Sequence, residues 1–161
     1  MEEQEVPVEH LHDIVHEQAH KISWAEKVAL TTALFAVFAA ISSLLSTHES
    51  DQAILLRVES SDQWAYYQAK SIKGMITQSP DEKARYEQEQ EIIRKEAEVK
   101  TQASEHAMHT HEYCAYAVTL FQVATALGAI AVLVKRRPIW YTSMALGGIG
   151  IGLLIKAMTL F

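Results

Sequence analysis

Apolar residues are gathered into three long blocks with polar sequence between them. The first, WAEKVALTTALFAVFAAISSLL, spans residues 24–45. The second covers 113–134, and the third, IWYTSMALGGIGIGLLIKAMTLF, covers 139–161. A bilayer core about 30 Å thick is crossed by roughly 20 apolar helical residues, and each block is that long. No charge interrupts the stretches from Ala115 to Val134 and from Ile139 to Ile155, whereas a soluble core helix keeps a polar stripe. The pattern predicts an all-α membrane protein with three transmembrane helices. The first block is preceded by a long acidic segment, Met1 to Ser23, so it reads as a retained anchor and not as a cleaved leader, which wants a short basic start.

Between the first and second blocks, residues 46–112 show helical periodicity with one break near 76–81. Gly74 is expected to end one arm. Ser79 as N-cap, Pro80 at the first helical position and Glu82 closing a capping box open the next. The expectation is a long antiparallel helical hairpin joining the first two membrane helices. Its seam is read as Ile54, Val58, Ser61, Ala65, Gln68, Ile72 and Met75 on one arm. The other arm offers Tyr86, Ile93, Ala97, Lys100, Ser104 and Ala107. Such a seam is thin by coiled-coil standards, so hairpins of several copies are expected to pack together. Trp64, Tyr67 and Gln68 are read as hairpin-packing residues, with Trp64 and Gln68 one turn apart.

Charge sets the expected orientation. Lys135, Arg136 and Arg137 fill the short connection before the third block, and short Lys/Arg-rich loops stay in the cytoplasm. The amino terminus and the 135–138 loop are therefore expected inside, with the hairpin and the carboxyl terminus outside. Trp24, Trp140 and Tyr141 lie at the expected interfaces, and Lys156 is read as snorkelling to the headgroups. The overall charge of −6 argues against nucleic-acid binding, which needs a basic face. A single cysteine, Cys114, leaves no intrachain disulfide to form.

Ser61 to Lys73, SDQWAYYQAKSIK, together with FQVATALGAIAVLVKRRPIWY and the anchor helix before them, resemble the domain of unknown function 4337 family. The resemblance covers most of the chain from about Trp24 onward. It implies a small bacterial integral protein of the cytoplasmic (inner) membrane with the same span, hairpin, span, span layout. It implies no activity and no catalytic residues.

Candidate chemistry is confined to histidines. EHAMHTHEYC, residues 105–114, carries three of them, and His48 lies at the outer end of the first span. On a helix His106 and His109 are near neighbours, about 300° apart. They could begin a divalent metal site with a third ligand from His48, Glu49 or Asp51. The competing readings are a polar collar above a membrane helix, or a proton-responsive one. His12, His16 and His20 form a stripe beside Leu11, Ile14 and Val15, which predicts an amphipathic helix over residues 1–23. Its acidic charge would be repelled by anionic lipid and suits a protein partner.

No enzyme signature or cofactor loop is present in the sequence. Gly148 and Gly152 form a small-xxx-small pair, and Gln122 stands mid-membrane, so both are read as helix-packing positions. The leading functional reading is a self-associating scaffold or accessory subunit that presents a helical hairpin, with membrane lipid and further copies as partners. The alternative is a homo-oligomeric channel or transporter whose pore forms between subunits and is lined by Thr119, Gln122 and Thr125.

Overall fold

The structure, a computed structural model, describes residues 23–160. Three helices account for nearly all of it: α1 (Trp24–Ile76), α2 (Pro80–Val134) and α3 (Arg137–Met158). No strand occurs among the described residues. The expected amphipathic helix over residues 1–23 lies outside them, apart from Ser23. Each helix contains an apolar window long enough to cross a membrane.

α1 and α2 run unbroken through the points where the apolar blocks end. At 53 and 55 residues each is about 80 Å long. Ser23 starts α1 with a full capping box: its hydroxyl accepts from the Glu26 N–H at 3.2 Å, and the Glu26 carboxylate accepts from the Ser23 N–H at 2.7 Å. Thr77, Gln78 and Ser79 form the turn, with the Thr77 N–H bonded to the Lys73 carbonyl.

Two expectations for this turn are corrected. Ser79 is the N-cap of α2, but its side chain makes no cap hydrogen bond; Glu82 instead accepts from the Thr77 hydroxyl at 2.7 Å. Gly74 does not end α1. It is buried inside the last turns, where Tyr86 and Gln90 of α2 lie against it. At the other junction Lys135 takes the left-handed conformation (φ 54°) that closes α2. α3 then begins at Arg137, two residues earlier than the apolar block, with Pro138 in its first turn.

α1 and α2 pack as an antiparallel pair. Lys70 meets Glu89, Glu59 meets Lys100, the Ser104 hydroxyl donates to the Ala53 carbonyl at 2.9 Å, and Phe35 stacks on Phe121. Numbers falling in one helix as they rise in the other define the opposed directions. The buried line repeats every seven residues: Val28, Phe35, Ser42 and Glu49, interleaved with Ser46, Ala53 and Ser60. On α2, Ala107, Cys114, Phe121 and Gly128 do the same. A seven-residue repeat keeps one face on the partner only if the helices coil gently left-handed.

This face corrects the expected seam of the first arm. Ile54, Val58, Ile72 and Met75 are exposed, Met75 to 72%, as are Ser61, Ala65 and Gln68. The buried positions are one residue away, at Ala53, Ser60 and Gly74. A three-and-four spacing anchored on Ile54, Val58, Ile72 and Met75 led to the wrong stripe. The helices instead meet through small residues, which let backbones approach and let hydroxyls reach the facing carbonyls. Ser60 bonds the Thr101 hydroxyl at 2.6 Å and the Ala97 carbonyl at 3.3 Å. The second-arm expectation is met at Ile93, Ala97, Ser104 and Ala107.

α3 packs mainly on α2 and closes a cluster of large side chains. Phe121 is fully buried, stacked with Phe35 at 6.2 Å and Phe38 at 5.6 Å between ring centres, with Leu154 beside it. Gly147 admits the Phe35 ring and Gly150 the Phe121 ring, while Gly128 lies against Thr32. The Ser143 hydroxyl ties α3 to α2 by donating to the Ala124 carbonyl at 2.6 Å.

Candidate functional site

The polar residues above the apolar windows come from three helix segments: α1 around Ser46–Gln52, α2 around Ser104–Tyr113, and the end of α3. The α1–α2 seam sets which of them face each other. His111 falls opposite Ser46, with its Nδ1 2.8 Å from the Ser46 carbonyl and 3.0 Å from the Ser46 hydroxyl. A carbonyl only accepts, so the neutral ring carries its proton on Nδ1. The signal for this contact was faint: Ser42 and Ser46 are hydroxyls four apart in an apolar run. Glu49, one turn further on, is also buried in the seam.

His106 points the other way, toward α3, where its Nε2 donates to the Leu160 carbonyl at 2.8 Å. That bond satisfies a carbonyl left open at the end of α3. Nearby, the Lys156 ammonium sits 4.4 Å above the Tyr113 ring, a cation–π contact that anchors the end of α3 to α2.

His109 is 72% exposed and, among the described residues, pairs only with Glu112 of its own helix, at 3.5 Å. His48 is held by Gln52, also within its own helix, at 3.2 Å. The expected trio of His48, His106 and His109 is therefore not brought together. Among the described residues no three His, Cys, Asp or Glu side chains are placed to hold a metal ion. Replacing His106 and His109 together by glutamine is expected to leave the metal content of the purified protein unchanged. Elemental analysis of wild type and variant checks it, and loss of a stoichiometric metal in the variant would show that ligands converge here.

Further out, aromatic and charged side chains clasp the arms. Trp64 and Tyr67 pack edge to face at 5.8 Å. Lys70 lies between the rings of Tyr66 and Tyr86, at 5.3 and 5.4 Å, and binds Glu89. Gln68, expected in this cluster, is exposed. The sequence reading placed Tyr86 in the seam but did not pair it with Lys70, because their meeting depends on the register of the two arms. Hydrogen bonding to Lys70 holds the Glu89 carboxyl below its usual range, and the bond to Glu89, then Tyr66, raises the Lys70 ammonium. The clasp is therefore fully present across neutral pH. It weakens only as pH falls through the lowered Glu89 value or rises through the raised Lys70 value.

The faces read as helix-packing sites remain open within the chain. A side chain added at Gly148 or Gly152 would meet nothing within 4 Å. Gln122 is exposed. Thr119 bonds the Ala115 carbonyl of its own helix at 3.0 Å, while the Thr125 hydroxyl is buried within the chain without a partner among the described residues. Thr119, Gln122 and Thr125 thus do not share one outward face.

A family model described as Domain of unknown function (DUF4337) matches residues 24–83 and 74–160. No curated protein matches the chain, and no solved structure matches it.

Proposed function

The chain belongs to the domain of unknown function 4337 family, and from that premise we propose that it is a self-associating membrane scaffold or accessory subunit. It presents the distal parts of α1 and α2 as a hairpin outside a cytoplasmic membrane. The three apolar windows support the membrane reading. Leu44 and Leu133, 73% and 81% exposed, fit lipid contact, which an aqueous surface would oppose at about 25 cal/mol per Å². Charge supports the orientation: Lys135, Arg136 and Arg137 crowd the short α2–α3 connection.

One observation carries the self-association: beyond the apolar windows, the large apolar side chains of the arms point outward. Ile54, Val58, Ile72, Met75 and Val99 are all more than half exposed, where no lipid would cover them. Such a stripe on a membrane-tethered helix pair is a protein-binding surface. A pore lined jointly by Thr119, Gln122 and Thr125 gains no support, since Thr125 turns inward.

The mass of the complex in mild detergent and in nanodiscs tests the reading. A multiple of 18.1 kDa is expected, and a wild-type monomer in both media would refute it. Orientation has its own check. A cysteine introduced at Gln78, in a Cys114→Ala background, is expected to react with a membrane-impermeant maleimide in intact cells. Labelling only after lysis would reverse the topology.

A further inference from the structure

We propose that a second copy of this chain docks along one side of the α1–α2 pair, on a face running from a groove at Ile54, Val58 and Met108 down to Gln122 in mid-span. The inference rests on the self-association proposed above and names the surface responsible.

α3 occupies the opposite side of the pair. Its contacts on α2 include His106 and Tyr113, each one residue before a buried seam position, Ala107 and Cys114. The residues one after the seam positions, Met108 and Gln122, follow Ala107 and Phe121 and are exposed. Because the seam holds its seven-residue repeat from Ala107 to Gly128, Met108 and Gln122 lie on the same side of the pair, two heptads apart. α3 leaves that side bare.

Two independent features of the bare side point to a protein and not to lipid or water. Outside the membrane it forms a groove between the helices, walled by Ala53, Ile54, Val58, Ser104 and Met108, with Arg57 and Glu105 at its rims. Its walls are largely apolar, and at Ile54 and Val58 it rises past the end of α3, where Leu160 meets His106. Inside the membrane the same side carries Gln122, whose amide makes no hydrogen bond to any described residue. An amide facing hydrocarbon is costly, and a facing polar group on another helix relieves the cost.

The charges on the groove select a second copy. Arg57 stands on α1 and Glu105 on α2, on opposite rims of one apolar groove. Ser60 reaches Thr101 and Ser104 reaches Ala53 across the seam, so Arg57 and Glu105 differ in level by about four residues, or roughly 6 Å. Long side chains span that offset. Copies inserted the same way round are related by a two-fold axis along the membrane normal. Such an axis sets α1 of each copy against α2 of the other, so that Arg57 of each faces Glu105 of the other, and it brings both Gln122 amides into the contact between copies. A self-complementary patch is what an isologous dimer requires.

The test uses the full chain in native membranes, in a Cys114→Ala background, with single cysteines at Met108→Cys, Gln122→Cys and, on the α3 surface, Ile149→Cys. Oxidation is expected to give disulfide dimers at Met108→Cys and Gln122→Cys, which supports the inference whatever Ile149→Cys does. Arg57→Glu should remove most of the dimer trapped at Met108→Cys, and adding Glu105→Arg should restore it. Gln122→Leu should weaken the dimer about threefold, whereas on a lipid-facing surface it would strengthen insertion and leave the dimer unchanged. A wild-type complex of multiple mass that crosslinks only through Ile149→Cys overturns this face and leaves self-association standing. A monomeric wild type removes both. A crosslinked band of a different mass at Met108→Cys assigns the groove to another protein and overturns the second copy.

Discussion

Replacing Gly147 by leucine is expected to disrupt the three-helix cluster, while the same change one residue on, at Gly148, leaves it folded. Even a Cβ at Gly147 would overlap the Phe35 ring. That ring cannot swing clear, because Phe35 is buried and stacked on Phe121, with Phe38 on the same ring. Overpacking of a close-packed interior costs about 1–3 kcal/mol and occasionally more, and a rigid aromatic obstacle puts this site at the upper end. At Gly148 nothing stands within 4 Å, so leucine there strains no neighbour. Thermal unfolding of the two variants in the same detergent checks the contrast. Trimming the obstacle with Phe35→Ala in the Gly147→Leu background should recover part of the loss, since the two sites touch and their effects are coupled. Equal stability of the Gly147 and Gly148 variants would show that α3 does not seat on Phe35.

The second large effect is expected at Phe121. Its ring is fully buried between Phe35 and Phe38 and lies under Gly150, so it touches all three helices. Phe121→Ala removes a side chain shared by them and is expected to cost about 3–5 kcal/mol. The helices are tied elsewhere by Ser143 to Ala124 and Trp140 to Thr31, so relaxation into the cavity is limited. Loss of protease resistance in α3, compared with wild type, is the readout. Phe121→Leu keeps more of the volume and should lose much less. A Phe121→Ala protein as resistant as wild type would mean that the three rings do not form the centre of the bundle.

The histidine collar shows how far a sequence reaches toward a site. His48, His106 and His109 could be placed near one level from the spans alone. Their directions could not, because direction depends on how each helix is rotated against its partners. The rotation sends His106 to α3, His111 to Ser46, and His109 and His48 to the surface. The same rotation separates the glycines. Spacing singled out Gly148 and Gly152 in α3, yet within the chain Gly147 and Gly150 receive the aromatic rings and Gly148 and Gly152 have nothing within 4 Å.

What the sequence by itself determined is what hydropathy and local chemistry control. Three apolar windows, the turn between the arms at Thr77 to Ser79, and the short basic connection before α3 follow from transfer free energy, from proline geometry and from charge. The family resemblance was legible in the same stretches and agrees with the family match. What only the tertiary structure decided is the face by which each long helix meets its partner. The three-and-four spacing pointed to Ile54, Val58 and Ile72, but the seam runs through Ala53, Ser60 and Gly74. Hydrophobic pattern ranks side chains by their gain from leaving water. Two very long helices also gain from close backbone approach and from hydroxyl-to-carbonyl bonds repeated along the pair. Both terms favour small residues in the seam, and neither can be evaluated until the partner helix is in place.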